Sequence, residues 1–224
     1  MNKQVAESLQ KTLGISQEQV VRQEYEMILL KQLFESRPGK SFVFKGGTAL
    51  RLTYGSPRFS EDLDFSVVSE FDKEKLDRLL RTVADQYEAL KLVETIQKTY
   101  TYFALFRVKE DFLSQAFPIK FEASVRPVSW ERGKDYELLV LSSKVTNLTV
   151  LAQVASLERI EEEKRGIEPP RIRDIFDMWF IGQKLGRISP MDFRGFEPRV
   201  VRRDLYKFLP EKDKRLIEQW LPKQ

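Results

Sequence analysis

Across the stretch KGGTALRLTYGSPRFSEDLDF, Lys45 to Phe65, the chain changes its periodicity twice. The residues leading into it, SFVFK, form a short apolar run that ends on two glycines, which suits a buried strand feeding a sharp turn. Ala49, Leu50 and Leu52 then sit among good helix formers, with Gly55 and Pro57 beyond them as stop signals, so a short helix follows. After a loop, Leu63, Phe65 and Val67 alternate with Asp62, Asp64 and Ser66. That period of two sends the acids to one face of a strand and the apolar set to the other.

Each part has a chemical use. Gly46 and Gly47 let backbone approach a ligand without side-chain obstruction, and a helix starting just after them aims free N–H groups at an anion. Such a turn suits a triphosphate. Asp62 and Asp64, two apart on a strand, can converge on the oxygen-rich site that Mg²⁺ prefers. Phosphoryl transfer calls for a further acid to hold the attacking hydroxyl, and Glu122 is the best candidate. It lies in FPIKFEASVRP, where Phe117, Ile119, Phe121 and Ala123 alternate with Lys120, Glu122 and Ser124. Lys45, Thr48, Arg51 and Ser60 complete the nucleotide-binding candidates. Each also has a structural reading: Lys45 leaving the strand toward solvent, Thr48 capping the helix, Arg51 clamping Asp62, Ser60 capping the loop before the acids. A lone Gly-Gly is usually a plain turn and a lone Asp-x-Asp a solvated strand face; it is their order and context that favour a nucleotide site.

Outward from this core the elements alternate. Residues 1–15 read as a loose or helical lead-in, and a helix behind a Ser16 cap carries Val20, Tyr25, Ile28, Leu29 and Leu33. Past residue 70 comes another helix with Leu76, Leu79, Leu80, Val83 and Tyr87, followed by aromatic and β-branched alternation in VETIQKTYTYFALFRVKE. From Thr149 the pattern reads as helical: TVLAQVASLERIEEEKR, then RIRDIFDMWFIGQKL, then shorter candidates in PMDFRGFEPRVVRRDLYKFL and EKDKRLIEQWL. The expected architecture is an α/β (α+β) domain over 1–148, with a twisted mixed sheet flanked by helices, and a helical half over 149–224 that closes the cleft. Glu161, Glu162 and Glu163 read as a solvated helix end. The Arg173 to Asp177 spacing suits an ion pair on one helix. Between Lys184 and Lys207 seven basic residues stand against three acids, an RNA-facing patch in which Phe193, Phe196, Tyr206 and Phe208 either stack on bases or fill the core of small helices.

Composition narrows the chemistry. The 224 residues are 42% hydrophobic and 32% charged, enough for a sizeable core in one large domain or two small ones. No apolar run approaches the roughly 20 residues that cross a bilayer, and the polar start MNKQVAESLQKTLG lacks the apolar stretch of a secretion signal, so the expected address is the cytoplasm. With no cysteine and no histidine, disulfides, zinc ribbons, thiol catalysis and imidazole acid–base chemistry are excluded. Carboxylates, Lys, Arg, hydroxyls and bound metal remain. Thirty-eight basic against 34 acidic residues give a net charge of +4 and a mild bias toward polyanions.

The 45–65 stretch resembles the signature of the AbiEii/AbiGii-type nucleotidyltransferases, a branch of the DNA polymerase β-like superfamily. The likeness rests on Gly46, Gly47, Arg51, Tyr54, Gly55, Arg58, Ser60, Asp62, Asp64 and Phe65, with Arg173, Asp174 and Asp177 resembling the family's Arg-Asp-x-x-Asp element. It implies a polymerase β-like fold and a Mg²⁺- or Mn²⁺-dependent transfer of NMP from an NTP to a hydroxyl on tRNA or another RNA. It further implies a toxin with a separately encoded antitoxin, and adds Asp174 to the nucleotide-binding candidates. One departure stands out. Where relatives carry Lys in a Leu-Ala-x-Lys run, this chain has Leu151, Ala152, Gln153 and Val154, so Lys120, Lys144 or Lys164 would have to substitute. Lys120 joins the nucleotide-binding candidates on that ground. A rival reading of the departure is a non-catalytic relative that binds nucleotide or RNA as a sensor.

Overall fold

The structure, a computed structural model, describes residues 1–221. Helices α1 (Lys3–Leu13) and α2 (Gln17–Phe34) lead into β1 (Phe42–Lys45), α3 (Gly46–Leu52), β2 (Asp62–Val67) and α4 (Lys73–Asp85). Strands β3 (Leu90–Gln97), β4 (Thr101–Val108), β5 (Phe117–Ser124), β6 (Tyr136–Leu141) and β7 (Val150–Ala155) follow. Helices α5 (Leu157–Arg165), α6 (Ile172–Lys184), α7 (Pro198–Tyr206) and α8 (Arg215–Glu218) complete the described chain. Residues 222–224 of the expected helical half lie outside the described residues.

The Ser16 cap is realised as a reciprocal box: Ser16 Oγ accepts from the Gln19 N–H and Gln19 Oε1 accepts from the Ser16 N–H. The seven strands form one mixed sheet in the order β3-β4-β5-β2-β1-β7-β6, parallel at β2/β5 and β1/β7 and antiparallel elsewhere. One face is aromatic. Phe42, Phe44, Phe65 and Phe121 pack there with Leu29, Leu30 and Leu33 of α2 and Leu76 and Leu80 of α4. The Phe65 and Phe121 rings stack with centroids 4.4 Å apart. On the other face Val43 and Ala155 meet Ile160 of α5 and Phe180 and Ile181 of α6. The later helices also share a core of their own around Phe176, Phe193, Val201 and Leu205.

One expectation is corrected, and one strand is added. Val150–Ala155 is a strand, not the start of a helix, so the sheet continues past residue 148 and the helical run begins at Leu157. Burial there alternates, with Val150, Ala152 and Val154 inside and Leu151 57% exposed. The true helix start is marked by Ser156, whose side chain accepts from the Arg159 N–H. Strand β6 had no sequence reading; at the sheet edge it leaves Leu138 and Val140 exposed, which blurs the alternation that betrays a strand. Among the described residues no helix is long and apolar enough to cross a membrane.

Candidate active site

Strands β1, β2 and β5 lie side by side, and their register decides what meets. Lys45 is opposite Asp64, Asp64 is beside Glu122, and two residues earlier Asp62 is beside Lys120. Paired residues share a sheet face, so three carboxylates and two ammonium groups line one wall, opposite in sense to the aromatic face. Residues of α5, α6 and the segment before α6 supply the facing wall, including Glu163, Lys164, Arg171, Arg173 and Asp174. The cleft between them encloses about 410 Å³.

Both glycines have a steric reason. Gly46 has φ +77°, and a Cβ there would overlap the Asp64 carboxylate. A Cβ on Gly47 would overlap the Arg58 guanidinium and come within 2.9 Å of Ser60 Oγ. Thr48, buried, donates its hydroxyl to the Asp62 carbonyl at 2.6 Å and so pins α3 to β2. It does not face the cleft. Neither does Arg51, whose Nη1 donates to the carbonyls of Ser56 (2.9 Å) and Pro57 (3.0 Å) while its guanidinium lies over the Phe59 ring; it is a clamp on the loop, without the expected Asp62 contact. The other candidates, Lys45, Gly46, Gly47, Ser60, Asp62, Asp64, Lys120, Glu122 and Asp174, are brought together.

The cleft's charges are unevenly compensated. Lys120 Nζ stands 3.7 Å from Asp62, and Lys45 is spent on Glu163 at 2.7 and 2.9 Å. Burial, then repulsion from Asp62 and Glu122, push the Asp64 carboxyl up to about 6 against the pull of Lys45 and Lys164. Among the described residues no three acidic side chains are already gathered closely enough to hold a metal ion together. The donor chemistry still suits a hard divalent cation: mutually repelling carboxylate oxygens on adjacent strands.

Behind the cleft the balance reverses. Arg58 donates to both oxygens of Asp177, at 2.7 and 2.6 Å, with Lys164 Nζ 2.8 Å from Asp177 and from Asp174. Although burial raises it, Asp177 is brought down to about 2 by Arg58 and Lys164. Asp174 is lowered in the same way: burial is overcome by a hydrogen bond from Arg171 and the charge of Lys164. The expected Arg173–Asp177 pair is not formed, Arg173 turning instead toward Glu61 at 4.0 Å.

A family model described as "Nucleotidyl transferase AbiEii toxin, Type IV TA system" matches residues 28–219. The chain belongs to that family. It is a nucleotidyltransferase toxin, with a nucleotide as substrate and an antitoxin as its counterpart. Among solved structures, JHP933 from Helicobacter pylori is 24% identical over 75% of this chain and 68% of that one, with a TM-score of 0.54. A putative nucleotidyltransferase from H. pylori gives 24%, 75%, 70% and 0.55 for the same measures. MenT4, the nucleotidyltransferase toxin Rv2826c from Mycobacterium tuberculosis H37Rv, is 19% identical over 91% of this chain and 68% of its own, with a TM-score of 0.55. These likenesses speak for the fold. No curated protein matches the chain.

Of the three lysines weighed against the Leu-Ala-x-Lys departure, Lys120 and Lys164 line the toxin's cleft and Lys144 lies elsewhere, the run itself being strand β7. The cleft also uses residues that the sequence reading passed over. The acidic run is not a solvated helix end: Glu163 binds Lys45, and Glu161, 7% exposed, pairs with Arg165 and Arg187. No sequence signal announces a Lys45–Glu163 contact 118 residues apart. In the basic stretch near the C-terminus the aromatic residues fill the core rather than stand free to stack on bases. Phe193 and Phe208 are buried, Phe196 and Tyr206 pack onto the helical core, and among the described residues only Lys184 of its seven cations lacks a carboxylate within 4 Å.

Proposed function

We propose that this toxin transfers NMP from a Mg²⁺- or Mn²⁺-bound NTP to a hydroxyl of an RNA acceptor, with tRNA as the favoured acceptor. The supporting observation is the in-register row Lys45–Asp64–Glu122, with Asp62–Lys120 beside it, under the Gly46–Gly47 turn. Asp62, Asp64 and Glu122 would hold the divalent ion, which when bound offsets phosphate charge and lowers the barrier to attack at phosphorus.

The remaining work falls to the chain. The side-chain-free turn at Gly46 and Gly47 leaves room for the nucleotide's phosphates against the backbone, and Ser60 stands ready as a hydroxyl donor. Lys164 and Arg171 add positive charge opposite the acids. Glu122 orients the acceptor hydroxyl; as its oxygen bonds to the α phosphorus, the bond to the pyrophosphate oxygen breaks, the proton passes to a carboxylate, and pyrophosphate departs. Positioning and electrostatics suffice, which is how a chain without His or Cys can do this chemistry. RNA is favoured by the rim: the side chains of Lys120 and Arg171 are 46% and 57% exposed beside the cleft. The presence of Lys164 in the cleft weakens the non-catalytic reading, whose ground was a missing lysine.

The test is incubation of the toxin with each labelled NTP, Mg²⁺ and total cellular RNA or protein. Label should enter the RNA pool, and the Asp62→Ala/Asp64→Ala protein should transfer nothing measurable. Transfer retained in that double variant ends the mechanism, and label entering protein alone ends the RNA assignment.

A further inference from the structure

A second cavity, larger than the cleft at about 830 Å³, lies on the other side of the loop between α3 and β2, so that Arg58 and Ser60 face the cleft while Ser56, Pro57 and Phe59 face this second space. Its walls come from the end of α1, from α3 and that loop, from the turn after β6 and from the turn before α8.

Two features of the cavity point to a ligand. The guanidinium of Arg51 donates through Nη1 and Nε, leaving Nη2 with no acceptor among the described residues. At the rim Lys11, Lys144 and Lys212 are exposed, and none has a carboxylate within 4 Å among the described residues. Two acids also reach the rim, Glu211, already paired with Lys214 at 2.6 Å, and Asp213, whose charge acts on Arg51, against the four cations Lys11, Arg51, Lys144 and Lys212. Cationic excess, unspent donors and the apolar flanks of Leu13 and Pro57 together suit an anion carrying an organic body.

We infer that this cavity is a second binding site, separate from the cleft, for a small phosphate-bearing molecule. The phosphate is held by Arg51 and the rim lysines, and the cavity is roomy enough for a nucleoside phosphate. Free inorganic phosphates share that chemistry. The site rests on none of the residues assigned to transfer, so it stands or falls apart from the proposed reaction.

The experiment is calorimetric titration of the full chain, in EDTA, with AMP, GMP, CMP, UMP and inorganic pyrophosphate in turn. At least one probe should bind saturably at millimolar concentration or below. Lys144→Ala/Lys212→Ala, which removes two exposed and unpaired side chains, should weaken that binding by about tenfold. Lys45→Ala/Lys120→Ala, which strips cations from the cleft, should leave it within about twofold of the parent. Binding of a monophosphate but not of pyrophosphate assigns the site to organic phosphates, and the converse to inorganic ones. Absence of saturable binding by every probe, unchanged affinity in Lys144→Ala/Lys212→Ala, or loss in Lys45→Ala/Lys120→Ala overturns the inference.

Discussion

Two sets of aspartates, one on β2 and one on α6, live under opposite electrostatics. Asp177 is met by a bidentate arginine and a lysine and titrates near 2; Asp64 is met chiefly by other acids and titrates near 6. Burial penalises both. What separates them is whether the fold itself supplies the counter-charge. A carboxylate that the protein has neutralised is a structural part, and one left in surplus is waiting for a charge from outside.

Breaking the neutralised set should have the largest effect. Asp177→Ala leaves Arg58 buried without its partner, both side chains being at most 3% exposed, and should cost about 3–5 kcal/mol in urea unfolding. A loss under about 1 kcal/mol would show that the pair is far weaker than its geometry implies.

Asp64→Asn should do the reverse. Removing a repelled charge stabilises the metal-free protein by about 2 kcal/mol at neutral pH, while transfer falls by about a hundredfold or more. The pH dependence sharpens the contrast. Asp64 has a raised folded value, so its ionisation costs nothing below its ordinary 3.8, costs progressively more as pH rises to about 6, and is constant above. Asp177 has a depressed one, so its contribution is complete above 3.8 and is lost as pH falls toward about 2. Unfolding of the parent, Asp64→Asn and Asp177→Asn in EDTA, followed from about pH 2 to pH 8, should therefore give difference curves that move in different pH windows. A coincident window for both would erase the distinction.

The smallest effect is expected where the two sets share a scaffold. Thr48→Val removes the hydroxyl that holds the Asp62 carbonyl and should cost about 1 kcal/mol in thermal unfolding, with transfer reduced more through KM than through kcat. An unchanged Tm would show that α3 is fixed to β2 by packing alone.

Much of this was legible in the residues. The alternation of Asp62 to Val67 and of Phe117 to Ser124 fixes which face each acid occupies, and the glycines mark the turn above them, so the carboxylate wall could be read from local pattern. Pairings across sequence could not. Arg58 finds Asp177 and Lys45 finds Glu163 only through the folded chain, at separations of 119 and 118 residues, and nothing in a helical acidic run says which member turns inward. Strand β7 was hidden for a different reason: its six residues run through one serine into a helix, and in that window the longer period drowns the shorter. Arg51 and Thr48 show the same limit in the other direction. Motif position places them near the cleft, and their rotamers then turn the Thr48 hydroxyl and the Nε and Nη1 of Arg51 onto the scaffold.

The alignment of β1, β2 and β5 has one more consequence, for a protein whose activity is harmful to its host. Sliding any one of these strands by a single residue would carry its charged side chains into the aromatic layer and its apolar ones into the cleft. The alignment that builds the poison is the same one that lets the chain fold at all. A mis-paired copy thus lacks both the carboxylate row and the core.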